Sequence, residues 1–205
     1  MFFIKSWAFY FFVTFPSFIR HVSGITPLHF RKIMQEDADL LHSARKLDQN
    51  ALNEIFERYA VPLFKYSMRL CGDAVEADDV VGEVFSLFLK QLSIGKGPRE
   101  NLRSYLYQIA YHKIIDFSRI KKIEKSIGFS EFVDENMMLQ NDNEEKEQSA
   151  FLNKIIQTEL TEDQRNIVIL RFIEGFNLQE TAAILGKNVG NVKVIQTRAI
   201  TKIRE

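Results

Sequence analysis

Along the chain, apolar residues recur at steps of three and four with polar residues between them, and no stretch alternates with the period of two that a strand requires. Leu40, Leu41, Ala44 and Leu47 form a first stripe. Asp48 stands where it can cap a second, carried by Leu52, Ile55, Phe56, Tyr59, Leu63 and Phe64. Pro62 falls inside that second period; it lacks an N–H and crowds the preceding turn, so a kink or break is predicted there. Gly72 ends this piece, and Asp73 with Glu76 opens the next, where Asp78, Asp79 and Glu83 form an acidic face against Val81, Val84, Phe85 and Phe88. After the loop Ser93 to Pro98, a long helix from Asn101 to Lys122 takes its phase from Leu102, Leu106, Ile109 and either Lys113 or Ile114.

Leu160 to Glu205 repeats the pattern in shorter pieces. Thr161 with Gln164 and Asn177 with Glu180 are spaced as capping boxes, each pair able to satisfy N–H groups at a helix start from both sides. Ile167, Val168, Leu170 and Arg171 mark the first helix, and Leu178, Ala182 and Leu185 the second, which Gly186 stops. Asn188 can cap a last helix whose inward stripe is Val192, Ile195, Ala199 and Ile203. A short helix, a Gly-containing turn and a longer polar-faced helix predict a helix-turn-helix. Its free side carries Asn191, Lys193, Gln196, Thr197, Arg198 and Lys202, donors and cations suited to phosphates and major-groove base edges. An ordinary three-helix bundle with a solvated face is the alternative.

The expected fold is therefore all-α: two small helical domains, at 34–125 and 150–205, joined by a flexible acidic linker at 126–149. The second is expected to be a helix-turn-helix domain of winged-helix-like, three- to four-helix type. Charge sharpens this division. The chain has 27 cations and 27 anions, yet residues 99–125 hold seven cations and three anions, and 149–205 hold eight and six. Residues 126–148 hold one cation and seven anions. Two basic regions flanking an acidic one suggest two contacts on one polyanion.

In the first basic region Tyr105, Tyr107, Tyr111 and His112 interleave with Arg103, Lys113 and Arg119, as suits stacking of single-stranded bases with backbone neutralisation. Tyr105 and Tyr107 fit a core position equally well. Cys71 is the sole cysteine and reads as a small buried side chain, excluding an internal disulfide and any CxxC site. The four histidines lack metal-ligand spacing, and GKGPRE at 95–100 lacks the strand and ending of a phosphate loop, so no metal, cofactor, small-molecule substrate or catalytic group is expected.

Residues 1–33 stand apart: MFFIKSWAFYFFVTFPSFIR is Phe-rich and uncharged from Ser6 to Ile19. Fourteen such residues containing Pro16 are short of the roughly 20 that a membrane span needs. A dispensable extension, with Met34 as the true start, is the favoured reading; a membrane-surface anchor and an export signal are the others.

Taken in order, the acidic DDVVGEVF segment, NLRSYLYQIAYHKIIDFSR, an acidic linker and LTEDQRNIVILRF…NLQETAAILGKNVGNVK resemble the bacterial sigma-70 family, specifically its small extracytoplasmic-function group. The resemblance covers about Asp37 to Glu205. It implies a cytoplasmic promoter-specificity subunit, nucleoid-associated when in holoenzyme. Its implied partners are core RNA polymerase (the largest-subunit clamp helices and the flap region), promoter DNA and an anti-sigma factor. Asp79, Val80, Glu83, Val84 and Phe85, with Asp78 beside them, fall where the family binds the clamp coiled coil. Tyr105 to Arg119 falls where it reads and opens the minus-ten element, and Asn188 to Arg198 where it reads the minus-thirty-five element. His112, Tyr105 and Gly82, and Val194, Ile195 and Gln196 in the last helix, differ from the residues frequent there, which bears on the promoter sequence rather than the role. The rival readings are a stand-alone helix-turn-helix regulator, which would not require the DDVVGEVF block, and a membrane-tethered adaptor.

Overall fold

The computed structural model describes residues 27–126, 155–156 and 158–204. Among them there are helices and turns and no strand. The acidic segment 126–149 lies outside the described residues except for Ser126, as does the Phe-rich start.

Four long helices make the first half: α1 (Pro27–Ala44), α2 (Gln49–Cys71), α3 (Ala74–Ser93) and α4 (Leu102–Ser126). α1 begins inside the segment expected to precede the helical pattern, at a proline whose fixed φ suits a first helical turn. α2 packs on α3, α3 on α4, and α4 closes back on α2. Their shared core contains Ile55, Leu63, Tyr66, Val80, Val84, Phe88, Leu102 and Leu106. Asp48 and Asp73 accept the N–H groups of Ala51 and Glu76 at 2.9 Å, as their spacing predicts. Pro62 does not break α2, which runs unbroken to its left-handed cap at Gly72. Leu63, Tyr66 and Ser67, just beyond the proline, are buried, and their packing outweighs the cost of one lost hydrogen bond. A partly buried ion pair ties α1 to α2: Asp37 receives Arg58 Nη1 at 2.9 Å and also the Tyr59 hydroxyl.

The second half is built from shorter pieces, α5 (Glu162–Val168), α6 (Leu178–Leu185) and α7 (Val189–Arg204). Helices of 7 and 8 residues are too short to persist on propensity. Both α5 and α6 carry the full capping box expected from Thr161–Gln164 and Asn177–Glu180. Gly186, left-handed at φ 62, stops α6, and Asn188 Oδ1 accepts Asn191 N–H at 2.7 Å to start α7. α5 does not end where its α-helical bonds end. Ile169–Ile173 continue it as a π turn, a wider winding that brings one extra residue into the coil.

The halves are in contact. α4 packs on α6, and the Tyr107 ring meets Phe176 edge-on with centroids 4.9 Å apart.

Candidate nucleic-acid interface

The acidic face of α3 is formed as expected. Asp78, Asp79 and Glu83 are exposed, while Val80 and Val84 are fully buried and hold the helix to the core rather than lining its surface. Phe85 is nearly buried and stacks at 4.8 Å on Phe56 of α2, which is 50% exposed. Phe56, assigned by its spacing to the second apolar stripe, is thus a surface aromatic beside the acids, with Leu89 exposed one turn beyond Phe85. A stripe position cannot reveal this, because Phe56 lies at the edge of the buried arc, not at its centre.

α4 sorts its aromatic and basic residues by face. Arg103, Tyr107 and Tyr111 are spaced by four, so they share the side turned toward the second half. Tyr107 is completely buried, between Tyr66 at 5.0 Å and Phe176. It is the core member of the pair of tyrosines whose place the sequence left open. Tyr105 is half-buried near Phe88. Burial pushes the hydroxyls of Tyr105, Tyr107 and Tyr111 above their ordinary range, with the charge of Glu174 adding to the effect at Tyr107. His112 and Arg119 are exposed. Lys113 Nζ lies 2.8 Å from Glu83 Oε2, so one ion pair joins the aromatic-basic helix to the acidic face.

Cys71 is partly buried and lines a cavity of about 200 Å³ with Leu70, Ile114 and Phe117. Burial, then the Glu76 carboxylate, pushes its thiol up to about 11. That agrees with a packing role for this side chain.

α7 is the opposite of α4. Val192 and Ala199 are fully buried, and Ile195 and Ile203 are half-buried, so the stripe faces inward as its spacing predicts. Asn188, Asn191, Lys193, Thr197, Arg198 and Lys202 are exposed, and Gln196 is half-buried with its amide oxygen 3.0 Å from Arg171 Nε. Arg171 also donates to the Phe176 carbonyl. Lys202 donates to the Glu159 carbonyl, and Thr197 Oγ1 to the Lys193 carbonyl at 3.0 Å. Val194, 50% exposed, sits among these polar residues. The result is a helix-turn-helix with a solvent-facing second helix, the geometry that enters a major groove.

The family model described as Sigma-70 region 2 matches residues 55–122, and the one described as Sigma-70, region 4 matches 158–205. The chain is 24% identical over 166 residues to the ECF RNA polymerase sigma factor BldN of Streptomyces coelicolor, covering 79% of this chain and 62% of that one. It is 28% identical over 170 residues to the ECF RNA polymerase sigma factor SigD of Mycobacterium tuberculosis, covering 77% of each. Among solved structures, that of CnrH in complex with the cytosolic domain of CnrY superposes with a TM-score of 0.61 at 22% identity, covering 81% of this chain and 93% of that one. Matches to both regions, falling on the helices that carry the acidic face, the aromatic-basic face and the helix-turn-helix, place this chain in the sigma-70 family, in its extracytoplasmic-function group.

Proposed function

We propose that this chain binds core RNA polymerase and directs it to promoters, doing no bond chemistry itself. The observation that carries the reading is the division of surfaces along the chain: an exposed acidic face beside Phe56, an adjoining aromatic-basic helix, and a separate helix-turn-helix with a free polar face. A stand-alone regulator would need only the last. Asp78, Asp79 and Glu83 would dock on a basic surface of the polymerase, with Phe56 and Phe85 as the apolar anchor. His112, Lys113 and Arg119, with Tyr105 and Tyr111, would hold unstacked bases of the minus-ten element. Asn191, Lys193, Thr197 and Arg198 would read the minus-thirty-five duplex. An anti-sigma factor is the candidate third partner. Work of this kind belongs in the cytoplasm, and no helix among the described residues is long and apolar enough to cross a membrane.

In vitro transcription with purified core polymerase on a genomic fragment library tests this: the chain should yield discrete start sites that core alone does not. Asp79→Lys should weaken binding to core polymerase while leaving the helical content unchanged. A well-folded Asp79→Lys that still co-purifies with core like the parent removes the acidic face from the interface.

A further inference from the structure

α7 shows solvent one apolar side chain in the middle of its polar face. At about 100° per residue, Val194 lies on the far side of the helix from the buried Val192 and Ala199. Its neighbours three and four residues away are Gly190, Asn191, Thr197 and Arg198, all exposed. Asn191 and Arg198 flank Val194 on one side and Thr197 on the other. Thr197 donates its hydroxyl proton to the Lys193 carbonyl at 3.0 Å, so it has a methyl group and acceptor lone pairs, but no donor, to offer outward. Gly190, one turn before Val194, carries no side chain, and a helical side chain leans toward the N-terminus, so Val194 covers the surface that Gly190 leaves bare. This is the N-terminal half of α7, the part of a recognition helix that reaches base edges. Val189, the other exposed apolar residue of α7, is its first residue and lies about 140° away around the axis.

A single exposed valine needs no explanation on a surface that stays in water. On a face turned to DNA, however, the base pair lying against Val194 loses its water there. Base edges in the major groove present donors, acceptors and one apolar group, the 5-methyl of thymine. Against a donor or an acceptor, valine strips water and returns no hydrogen bond. Against the methyl, two apolar surfaces leave water together. We propose that Val194 reads one thymine of the minus-thirty-five duplex through its 5-methyl group, with Asn191 and Arg198 serving the polar edges beside it. The inference rests on the functional reading above and names part of the sequence that reading requires. Asn191 and Arg198 can each satisfy more than one base edge or a phosphate, so they discriminate little by themselves at this base pair. Val194 adds the discrimination: cytosine at the same place offers an N4 amino donor and no methyl, and the valine can satisfy neither the donor nor its own burial.

The test uses the full chain in holoenzyme with core polymerase, on the promoters recovered by transcription from the genomic library. Thymines of the upstream element, on either strand, are replaced one at a time by uracil, which removes the 5-methyl and leaves base pairing and the other groove contacts in place. For the parent, one such replacement should weaken binding about fourfold, the value of burying about one methyl group. Val194→Ser should bind the thymine promoter about fourfold or more weakly than the parent, and should not distinguish thymine from uracil at that position. Its helical content should match the parent's, since Val194 is 50% exposed. The uracil scan on the unaltered chain stands whether or not the variant folds. Upstream elements that share no thymine, a parent indifferent to every uracil, or a methyl preference that persists undiminished in Val194→Ser overturns the proposal while leaving the functional reading intact. A holoenzyme that gives no discrete start sites overturns that reading, and the thymine readout with it.

Discussion

α4 and α7 both carry cations and are both proposed to meet nucleic acid, yet the fold treats them in opposite ways. On α7 the apolar stripe is turned inward and the cations and amides are left to solvent. On α4 the functional face is itself partly core, with Tyr107 and Tyr111 buried and Arg103 spread over Phe176. A helix that reads intact duplex can stand exposed, because phosphates and base edges need donors and cations that tolerate water. A helix that holds unstacked bases needs large aromatic surfaces, and water drives such surfaces to be covered when no base is present.

The most forceful way to break this contrast is by stability. Tyr107→Ala removes a ring packed between Tyr66 and Phe176 and leaves Glu174 short of a donor, so urea unfolding should show a loss of about 3–5 kcal/mol. Arg198→Ala, at an exposed position on α7, should stay within about 0.5 kcal/mol of the parent. Comparable losses for the two would mean that α4 is no more embedded than α7.

Promoter binding sharpens the contrast at the next scale. Arg198→Ala and Asn191→Ala should each cost about 1–3 kcal/mol in binding duplex promoter if they touch base edges, with preference relaxed at one upstream position. Tyr111→Ala and His112→Ala should keep duplex binding in complex with polymerase but fail to produce permanganate-reactive thymines near the start site. A template with a pre-melted bubble should rescue them, since unstacking, worth a few kcal/mol, is already done. Loss of duplex binding without rescue would make α4 a duplex reader or a purely structural helix.

The smallest expected effect is on pH. The buried tyrosines of α4 have hydroxyls raised above their ordinary value near 10, so the neutral form is the one the fold favours. Their contribution is fully present below about pH 10 and is lost as pH rises through the higher folded-state values. Stability should therefore decline as pH rises above about 10, with Tyr59 and Tyr66 of α2 contributing in the same direction, and the decline should be smaller in Tyr111→Phe. α7 has no tyrosine. An alkaline decline unchanged in Tyr111→Phe would show that this hydroxyl does not carry it.

What the sequence made legible was mostly local. The caps at Asp48, Asp73, Thr161, Asn177 and Asn188, and the stops at Gly72 and Gly186, depend on neighbours three or four residues away, and all are present. Pro62 does not end α2, because its local penalty is outvoted by distant packing. Phe56 misled because a period gives direction and not depth. The contact of Glu174 with Arg69, Arg103 and Tyr107 was not legible at all, since it joins residues 67 to 105 positions apart that no helical period relates. Its one trace is an acidic residue closing the apolar run IVILRFIEGF.

The π turn at Ile169–Ile173 amounts to a change of phase within one rod. One residue beyond the α-helical count rotates everything after it by about 100° relative to what went before. Ile167 and Leu170 are buried within the coil, while Glu174 at its end and Phe176 beyond the left-handed Gly175 meet Tyr107 of α4. Deleting one residue from Ile169–Ile173 should turn the Glu174 carboxylate by about 100° relative to α5, so the length of this segment bears on its direction as much as its composition does.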